Sequence, residues 1–352
     1  MSSLSNPKML KYDIGNSMRF LESFPEDCRF AFEEAVKIFS GKKLDKHYKK
    51  YAIYGMGGSG ISANIIQGMF PDTDIRVFKD YNLPKYVDHE YFCIAISYSG
   101  NTEETIALLE ETKKRNLKYL AIASDGVIGN MEVQEGCYLV KVPAKIVPRF
   151  SISHMFFSLL GFFHATGFHD FDNDMKEAFS VLEDFKKDII FSNDKHNPAK
   201  EIACSLNGDI PVVYGFGPFS AVAMRAKEQF NENSKVPSFY EIMPNADHNA
   251  IEGWLMKKLS GRITVIIIRD KESESMEMNA RLDLTRDAIK KSASSVIELR
   301  PVGKSLLAKI FSLIYLIDYV SFYLGLLNGI DPASIDNIEE LKKSLKERYS
   351  KK

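Results

Sequence analysis

The sequence has few of the features that mark disulfide-bonded, zinc-binding or nucleic-acid-binding proteins. Its four cysteines, Cys28, Cys93, Cys137 and Cys204, are far apart and form no Cys-x-x-Cys pair. This spacing argues against a disulfide framework and a zinc site, and is typical of a protein in a reducing cytoplasm. The formal net charge is -1. No overall positive field would therefore draw the chain to nucleic acid or to an anionic membrane.

Long apolar segments are also scarce. The first residues of the chain lack the apolar core of a signal peptide. The stretch that most resembles a membrane span, Leu306–Leu327, carries Lys309, Ser312, Asp318 and Ser321 at helical spacing. Because these residues place a polar stripe on one helix face, we expect a buried or dimer-forming helix rather than a membrane span.

What the sequence contains is typical of a globular protein with two domains. The chain has 352 residues, of which 45% are hydrophobic and 26% are charged. Domains of roughly 100–200 residues favour two domains in a chain of this length. We predict an N-terminal helical segment (1–50), a first α/β domain (51–168), a linking helix (169–196), a second α/β domain (197–330) and a C-terminal helix (331–352).

The first predicted domain alternates apolar runs with amphipathic segments. Helical patterns at 61–69 and 102–115 separate several of the apolar runs. Strand and helix alternation of this kind predicts a parallel sheet covered by helices. The predicted strands lie at 51–54, 75–78, 91–97, 119–123 and 138–142.

The second half of the chain repeats this pattern. Residues 54–70 align with 214–230, and both stretches carry a Gly-x-Gly turn from an apolar strand into a helix. The apolar runs at 264–269 and 296–299 resemble the third and the fifth predicted strands of the first half. Three similarities in the same order indicate an internal duplication of one α/β domain.

A turn rich in hydroxyl groups follows the third predicted strand and precedes a helix. It contains Ser97, Ser99, Gly100 and Thr102. A helix N-terminus attracts anions, hydroxyl groups add neutral donors, and Gly100 lets the backbone approach a ligand closely. Ser59 opens toward the same sheet edge, where α/β proteins bind ligands. Each hydroxyl alone could cap a helix, but together they predict a phosphate site.

The first glycine turn also matches a dinucleotide-binding fingerprint. Gly55, Gly57 and Gly60 fit Gly-x-Gly-x-x-Gly after a strand, and Asp80 lies about twenty residues onward, where a ribose-binding acid would fall. An NAD(P)-dependent dehydrogenase is therefore an alternative. Dinucleotide binding does not need the second, hydroxyl-rich turn. We therefore favour a phosphate ligand that approaches the backbone of Gly57 and Gly58.

Two polar residues in the second half suit catalysis. Glu232 lies near the end of the helix that follows the repeated glycine turn, and His248 lies in a polar loop. A carboxylate and an imidazole beside a ligand-binding edge suit general acid-base catalysis. Taken singly, Glu232 also fits a solvated helix end, and His248 also fits an ordinary loop histidine.

These motifs together resemble the bifunctional phosphoglucose/phosphomannose isomerases. That family is built from two sugar-isomerase (SIS) domains, so the resemblance implies two tandem parallel sheets flanked by helices in a flavodoxin-like, three-layer αβα arrangement. It rests on the turns at 55–61 and 97–105, the Val-Pro-Arg sequence at 147–149, the asparagine-rich run at 231–237, the loop at 247–254 and the C-terminal segment at 331–342.

The resemblance implies an aldose–ketose isomerase that interconverts glucose 6-phosphate, and also mannose 6-phosphate, with fructose 6-phosphate. In that family the sugar ring opens and a proton moves between C2 and C1 through an enediol(ate). By resemblance, His248 opens the ring, Glu232 transfers the proton and Arg149 stabilises the enediolate. Lys342, or its neighbour Lys343, would assist near the ring oxygen. The resemblance implies no metal ion and no cofactor.

The resemblance also implies a cytoplasmic homodimer that serves glycolysis and gluconeogenesis. In the family the histidine reaches in from the other subunit, so we expect His248 to serve the partner's site. Relatives often carry a threonine near the C-terminal Asp-Pro pair, and this threonine is implicated in accepting the mannose substrate. Here Ala333 and Ser334 follow that pair. This departure from the family pattern bears on activity with mannose 6-phosphate more than on activity with glucose 6-phosphate.

Two further alternatives share the SIS layout. One is a non-catalytic sugar-phosphate sensor, which would not need Glu232, Arg149 and His248 together. The other is the isomerase half of glucosamine-6-phosphate synthase. The first fifty residues have neither a clear helix-turn-helix pattern nor the pattern of a glutaminase domain, so we favour the isomerase.

Overall fold

Two parallel β-sheets, one in each half of the chain, organise the structure. This computed structural model describes residues 4, 7–42, 44, 46–193 and 196–349. The strands of the first sheet are β1 (Lys50–Tyr54), β2 (Asp74–Phe78), β3 (Tyr91–Ile96), β4 (Tyr119–Ala123) and β5 (Tyr138–Lys141). The strands of the second sheet are β6 (Ile210–Phe216), β7 (Phe239–Met243), β8 (Ile263–Ile268) and β9 (Ser295–Leu299).

Helices form most of the connections between these strands. The α-helices are α1 (Met18–Glu22), α2 (Phe24–Phe39), α3 (Gly57–Met69), α4 (Glu103–Lys114), α5 (Gly126–Gly129), α6 (Ile152–Ala165), α7 (Asp172–Ile189), α8 (Pro198–Leu206), α9 (Ser220–Asn233), α10 (Lys257–Ser260), α11 (Met276–Ile289), α12 (Leu306–Leu327) and α13 (Asp336–Tyr349). Short 3-10 helices lie at Pro7–Tyr12, Pro148–Phe150, Gly217–Phe219, Asn245–His248 and Ala250–Leu255.

The strand order confirms the predicted fold class. The first sheet has the order β2-β1-β3-β4-β5, the second has the order β7-β6-β8-β9, and neighbouring strands run parallel. The second order repeats the first four positions of the first sheet, as an internal duplication requires. β9 pairs with β8 as β4 pairs with β3. The comparison of 296–299 with the fifth strand was therefore wrong by one strand, because short apolar runs carry no mark of their place in a sheet.

Several element boundaries differ from the prediction. α3 begins at Gly57 rather than at residue 61, because the glycine turn itself forms the first turn of the helix. α7 ends at Ile189, before the predicted end of the linking helix. Both sheets fall within the predicted domain ranges except for Lys50, and the domain boundaries themselves stay a prediction.

The sheets are buried as their apolar sequences predict. Every residue of β3 and of β4 is buried, because helices cover both faces of a parallel sheet.

The four cysteines are free, and three of them are buried. Burial raises the pKa of the Cys93 thiol to about 12, which makes it an inert packing residue.

Helix α12 is the long apolar helix whose burial was predicted. By length and composition it could cross a membrane, but 94% of its most apolar 18-residue window is buried inside the protein. It packs against α7, α8 and α9. Its polar stripe is paired internally: Lys309 Nζ lies 3.0 Å from Asp270 Oδ2, and Asp318 Oδ2 lies 2.6 Å from Arg225 Nη2. The prediction of a buried helix is therefore confirmed.

Candidate active site

The hydroxyl-rich turn lies between β3 and α4, as predicted. Ser97 Oγ donates to Thr102 Oγ1 at 2.9 Å, and Ser99 Oγ accepts from the backbone N–H two residues onward at 3.3 Å. The backbone N–H of Tyr98 donates to Ser59 Oγ at 3.2 Å, which joins this turn to the first turn of α3. We call Ser59, Ser97, Ser99 and Thr102 the hydroxyl clamp. It lies at the carboxyl edge of the first sheet.

The first-turn N–H groups of the two helices at this edge are not satisfied by side-chain caps. Thr102 is the N-cap residue of α4, but its hydroxyl makes no capping hydrogen bond. Met56 is the N-cap residue of α3, and its side chain makes none either. Unpaired N–H groups at a helix N-terminus favour an anion. The simple capping role is therefore not what these hydroxyls perform.

Two glycines next to the clamp residues allow their backbone to pack closely against neighbouring segments. Gly100 has a φ of +65°, and a Cβ there would lie 1.8 Å from the carbonyl oxygen of Asp125, so only glycine fits. A Cβ at Gly58 would lie 3.4 Å from Arg149 Cα and 3.6 Å from the carbonyl oxygen of Pro148. The first glycine turn therefore packs on the segment that carries Arg149.

Arg149 and Glu232 meet although they lie in different halves of the chain. Arg149 Nη1 is 3.3 Å from Glu232 Oε2, with side-chain exposures of 2% for the arginine and 28% for the glutamate. Burial lowers the pKa of Arg149, and the Glu232 carboxylate opposes that shift. Because an arginine stays charged in proteins, the site holds a fixed cation beside a carboxylate that a ligand can reach.

The Arg149 guanidinium is held in one direction by three neighbours. Nε donates to Asn233 Oδ1, Nη1 donates to Glu232, and Nη2 donates to the carbonyl oxygen of Pro332. The Arg149 carbonyl oxygen also accepts from Arg225 Nη2 at 3.0 Å. A guanidinium held by three separate partners suits the stabilisation of a charge that develops at a defined point.

The corresponding edge of the second sheet is filled by the protein's own charges. Arg269 follows β8 directly, is 2% exposed, and pairs through Nη2 with Glu274 Oε2 at 2.8 Å. Glu274 Oε1 also accepts from the backbone N–H of Asp270 at 2.8 Å. A protein carboxylate thus lies after β8, at the position that corresponds to the hydroxyl clamp after β3.

Two of the predicted catalytic residues, His248 and Lys342, are exposed. His248 is exposed, and its neighbour Asp247 is tied to α11 by hydrogen bonds from Arg281 (3.2 Å) and Thr285 (2.6 Å). Lys342 is exposed on α13, and so is the residue after it. Within the described ranges, no hydrogen bond or ion pair joins His248 or Lys342 to the Arg149–Glu232 pair. Their catalytic roles stay predictions.

Comparison with known proteins decides the family. The bifunctional phosphoglucose/phosphomannose isomerase of Caldicellulosiruptor bescii is 34% identical over 336 residues, which cover 92% of this chain and 97% of that protein. The protein of the same name from Thermoplasma volcanium is 34% identical over 89% of this chain and 98% of its own length. The chain belongs to the bifunctional phosphoglucose/phosphomannose isomerase family. The predicted resemblance is therefore confirmed.

A profile and a solved structure agree with this assignment. The profile of the bacterial phospho-glucose isomerase C-terminal SIS domain matches residues 195–345, which contain the second sheet. A glucose-6-phosphate isomerase like protein from Thermus thermophilus is similar with a TM-score of 0.65 at 14% identity, over 97% of this chain and 98% of that chain. At this identity the likeness shows the fold alone, and it supports two tandem SIS domains.

Lys235 is a second cation close to Glu232, and the sequence did not predict it. Its ammonium group donates to the carbonyl oxygens of Glu232 and of Ser334, the latter at 2.7 Å. It therefore ties the end of α9 to the C-terminal turn formed by residues 331–334. Burial, together with the charge of Arg149, lowers the pKa of Lys235 to about 8. The sequence carries no direct signal for it, because its partner Ser334 lies 99 residues further along the chain.

Activity and stability should respond oppositely to pH because of Lys235. Above about pH 8 the amine loses its proton and holds the Glu232 carbonyl less strongly, so kcat/KM should fall. An unfolded lysine keeps its proton to about pH 10.4, so the folded state binds fewer protons between these values and the free energy of unfolding should rise. Activity and melting temperature measured from pH 7 to 10 test both directions.

Lys235→Arg is the matched variant, because its guanidinium stays charged throughout this range. Both pH responses should weaken in Lys235→Arg relative to the wild type. Unchanged pH profiles of activity and melting temperature in the variant would show that Lys235 is not the titrating group.

Proposed function

We propose that the protein interconverts glucose 6-phosphate, and also mannose 6-phosphate, with fructose 6-phosphate by ring opening and proton transfer through an enediol(ate). The observation that carries the proposal is the Arg149–Glu232 pair. A reachable carboxylate lies 3.3 Å from a buried, fixed guanidinium, and the segment that carries the arginine packs on the glycine turn of the hydroxyl clamp. An aldose–ketose isomerase needs an anchor, a base and a cation, and in this proposal the hydroxyl clamp, Glu232 and Arg149 take these three roles.

In this proposal the hydroxyl clamp and nearby backbone bind the sugar phosphate. The protein's net charge of -1 offers no general attraction for an anion, so the local helix N-termini supply the positive potential. The proposed groups are the hydroxyls of Ser59, Ser97, Ser99 and Thr102 and the backbone at Gly57, Gly58 and Gly100.

Glu232 is the proposed acid-base residue. Its carboxylate removes the C2 proton of the open-chain aldose, and the electron pair of that bond forms the C1=C2 double bond as the C1 carbonyl becomes an oxyanion. Glu232 then returns the proton to C1, and the hydroxyl proton passes from O2 to O1. Arg149 stabilises the oxyanion, a contribution of roughly 3 kcal/mol by analogy with one oxyanion-hole donor. These steps balance without a metal ion or a cofactor.

We further propose that the active form is a cytoplasmic homodimer in which His248 opens the ring in the partner's site, assisted by Lys342 or Lys343. Asp247 fixes the loop of His248 to α11, so the backbone that carries the imidazole is held in place. Exposed apolar residues follow that loop, and exposed apolar clusters favour contact with another protein. They are Leu255, Met256 and Leu259.

The experiment that tests the proposal is an assay of the purified protein on fructose 6-phosphate in the presence of a metal chelator. Glucose 6-phosphate and mannose 6-phosphate should form, whereas free fructose, which offers no phosphate to the hydroxyl clamp, should not react. A second assay that starts from glucose 6-phosphate tests whether the reaction runs in both directions, as glycolysis and gluconeogenesis require.

A further inference from the structure

Helix α12 contributes two buried polar groups that reach toward Arg149. Asp318 and Ser321 lie one turn apart on one face of the helix, with exposures of 1% and 0%. Asp318 accepts from Arg225 Nε at 3.1 Å and from Arg225 Nη2 at 2.6 Å, and it also accepts from Gln229 at 2.8 Å. A buried carboxylate with this many donors is well satisfied.

The first connection runs through Arg225 to the backbone of Arg149. Arg225 is 1% exposed, and its Nη2 donates both to Asp318 Oδ2 and to the carbonyl oxygen of Arg149, the latter at 3.0 Å. The ion pair with Asp318 therefore fixes the guanidinium that holds the Arg149 backbone in place.

The second connection runs through Asn233 to the Arg149 side chain. Ser321 Oγ donates its proton to the carbonyl oxygen of Asp318 at 2.9 Å, so toward Asn233 it can only accept. Asn233 Nδ2 donates to it at 2.9 Å, and this leaves Asn233 Oδ1 to accept from Arg149 Nε. If the amide were turned over, its NH₂ group would face another donor. Ser321 thus sets which amide atom faces Arg149.

We propose that Ser321, through Asn233, and Asp318, through Arg225, are positioning residues that aim the Arg149 guanidinium. The inference rests on the proposed role of Arg149 in stabilising the enediolate. A guanidinium stabilises a transition state only when it is already aimed at the developing charge. Loss of aim should therefore lower kcat and leave KM nearly unchanged, because the hydroxyl clamp still holds the phosphate.

Ser321→Ala tests the proposal with a built-in control on the same helix. Ser312 is also buried, donates to the carbonyl oxygen of Lys309 at 2.9 Å and accepts from the backbone N–H of Val302 at 2.9 Å. Ser312→Ala should therefore lower stability about as much without touching the Arg149 contacts. We expect Ser321→Ala to lower kcat about tenfold with KM within about twofold, and Ser312→Ala to keep kcat within about twofold.

A double-mutant cycle separates positioning from general loosening. Since Ser321 acts through Asn233, Asn233→Ala with Ser321→Ala should lower kcat no further than Asn233→Ala alone. Multiplied losses in the double variant, or a wild-type kcat in Ser321→Ala, would overturn the inference. Arg149→Lys distinguishes a failure of the proposed role of Arg149 from a failure of the positioning inference. If it keeps the wild-type kcat, the proposed role of Arg149 fails. If it loses activity while Ser321→Ala does not, the positioning inference alone is wrong.

Discussion

Replacing Glu232 by glutamine should lower kcat for fructose 6-phosphate isomerisation about 10²–10⁴-fold, the usual contribution of a positioned acid-base group. Glutamine keeps the shape of the side chain and can still accept a hydrogen bond from Arg149 Nη1, but it cannot take up the carbon-bound proton. The hydroxyl clamp is not altered, so the dissociation constant of glucose 6-phosphate, measured by calorimetry, should change little.

Glu228→Gln is the control for this variant. Glu228 lies one turn earlier on α9 and is also partly buried, and burial raises the pKa of its carboxyl group. It makes no hydrogen bond to Arg149, whose guanidinium partners are Asn233, Glu232 and Pro332. Glu228→Gln should keep kcat within about threefold of the wild type. Wild-type kcat in Glu232→Gln, or an equal loss in Glu228→Gln, would show that Glu232 is not the base.

Two inactive variants should restore activity when their subunits are exchanged. Glu232→Gln lacks the base, and His248→Ala lacks the ring-opening group in the proposed dimer. In a mixed dimer, the site that keeps Glu232 receives an intact His248 from the other subunit, so one of its two sites is complete. Equal mixing makes half of the dimers mixed, and activity should recover to about a quarter of the wild-type value.

The measurement is isomerase activity of the two variants, separately and after mixing under conditions that exchange subunits. Mass spectrometry of the intact dimers confirms that exchange has occurred. If His248 served its own subunit, mixed dimers would contain no complete site and activity would stay at the level of the separate variants. That result would contradict the shared-site proposal without affecting the role of Glu232.

Much of the fold could be predicted because its determinants are local. Apolar runs such as β3 and β4 mark covered parallel strands, and the hydroxyl turn after β3 follows from its residues and its place between a strand and a helix. The place of β9 was missed because pairing in a sheet is decided by contacts that a short apolar run does not record. The start of α3 was missed because glycines usually mark turns.

The site was predicted only in part, for a physical reason. Arg149 and Glu232 were assigned by resemblance, and the structure brings them to 3.3 Å. Asn233 and Arg225 hold Arg149 in place. Both contacts join segments that are distant in sequence. Lys235 was missed for the same reason, since its partner Ser334 lies in the C-terminal turn. Spacing along the chain carries no signal for such pairs.

The most direct test of the central claim is the reaction itself. Purified protein is given fructose 6-phosphate with excess chelator and without NAD(P), and glucose 6-phosphate and mannose 6-phosphate are followed separately, with Glu232→Gln in parallel. We predict that glucose 6-phosphate and mannose 6-phosphate both form at a rate that the chelator does not change, and that the variant forms almost none. Absence of any aldose phosphate, or a rate that depends on added metal or NAD(P), would contradict the account.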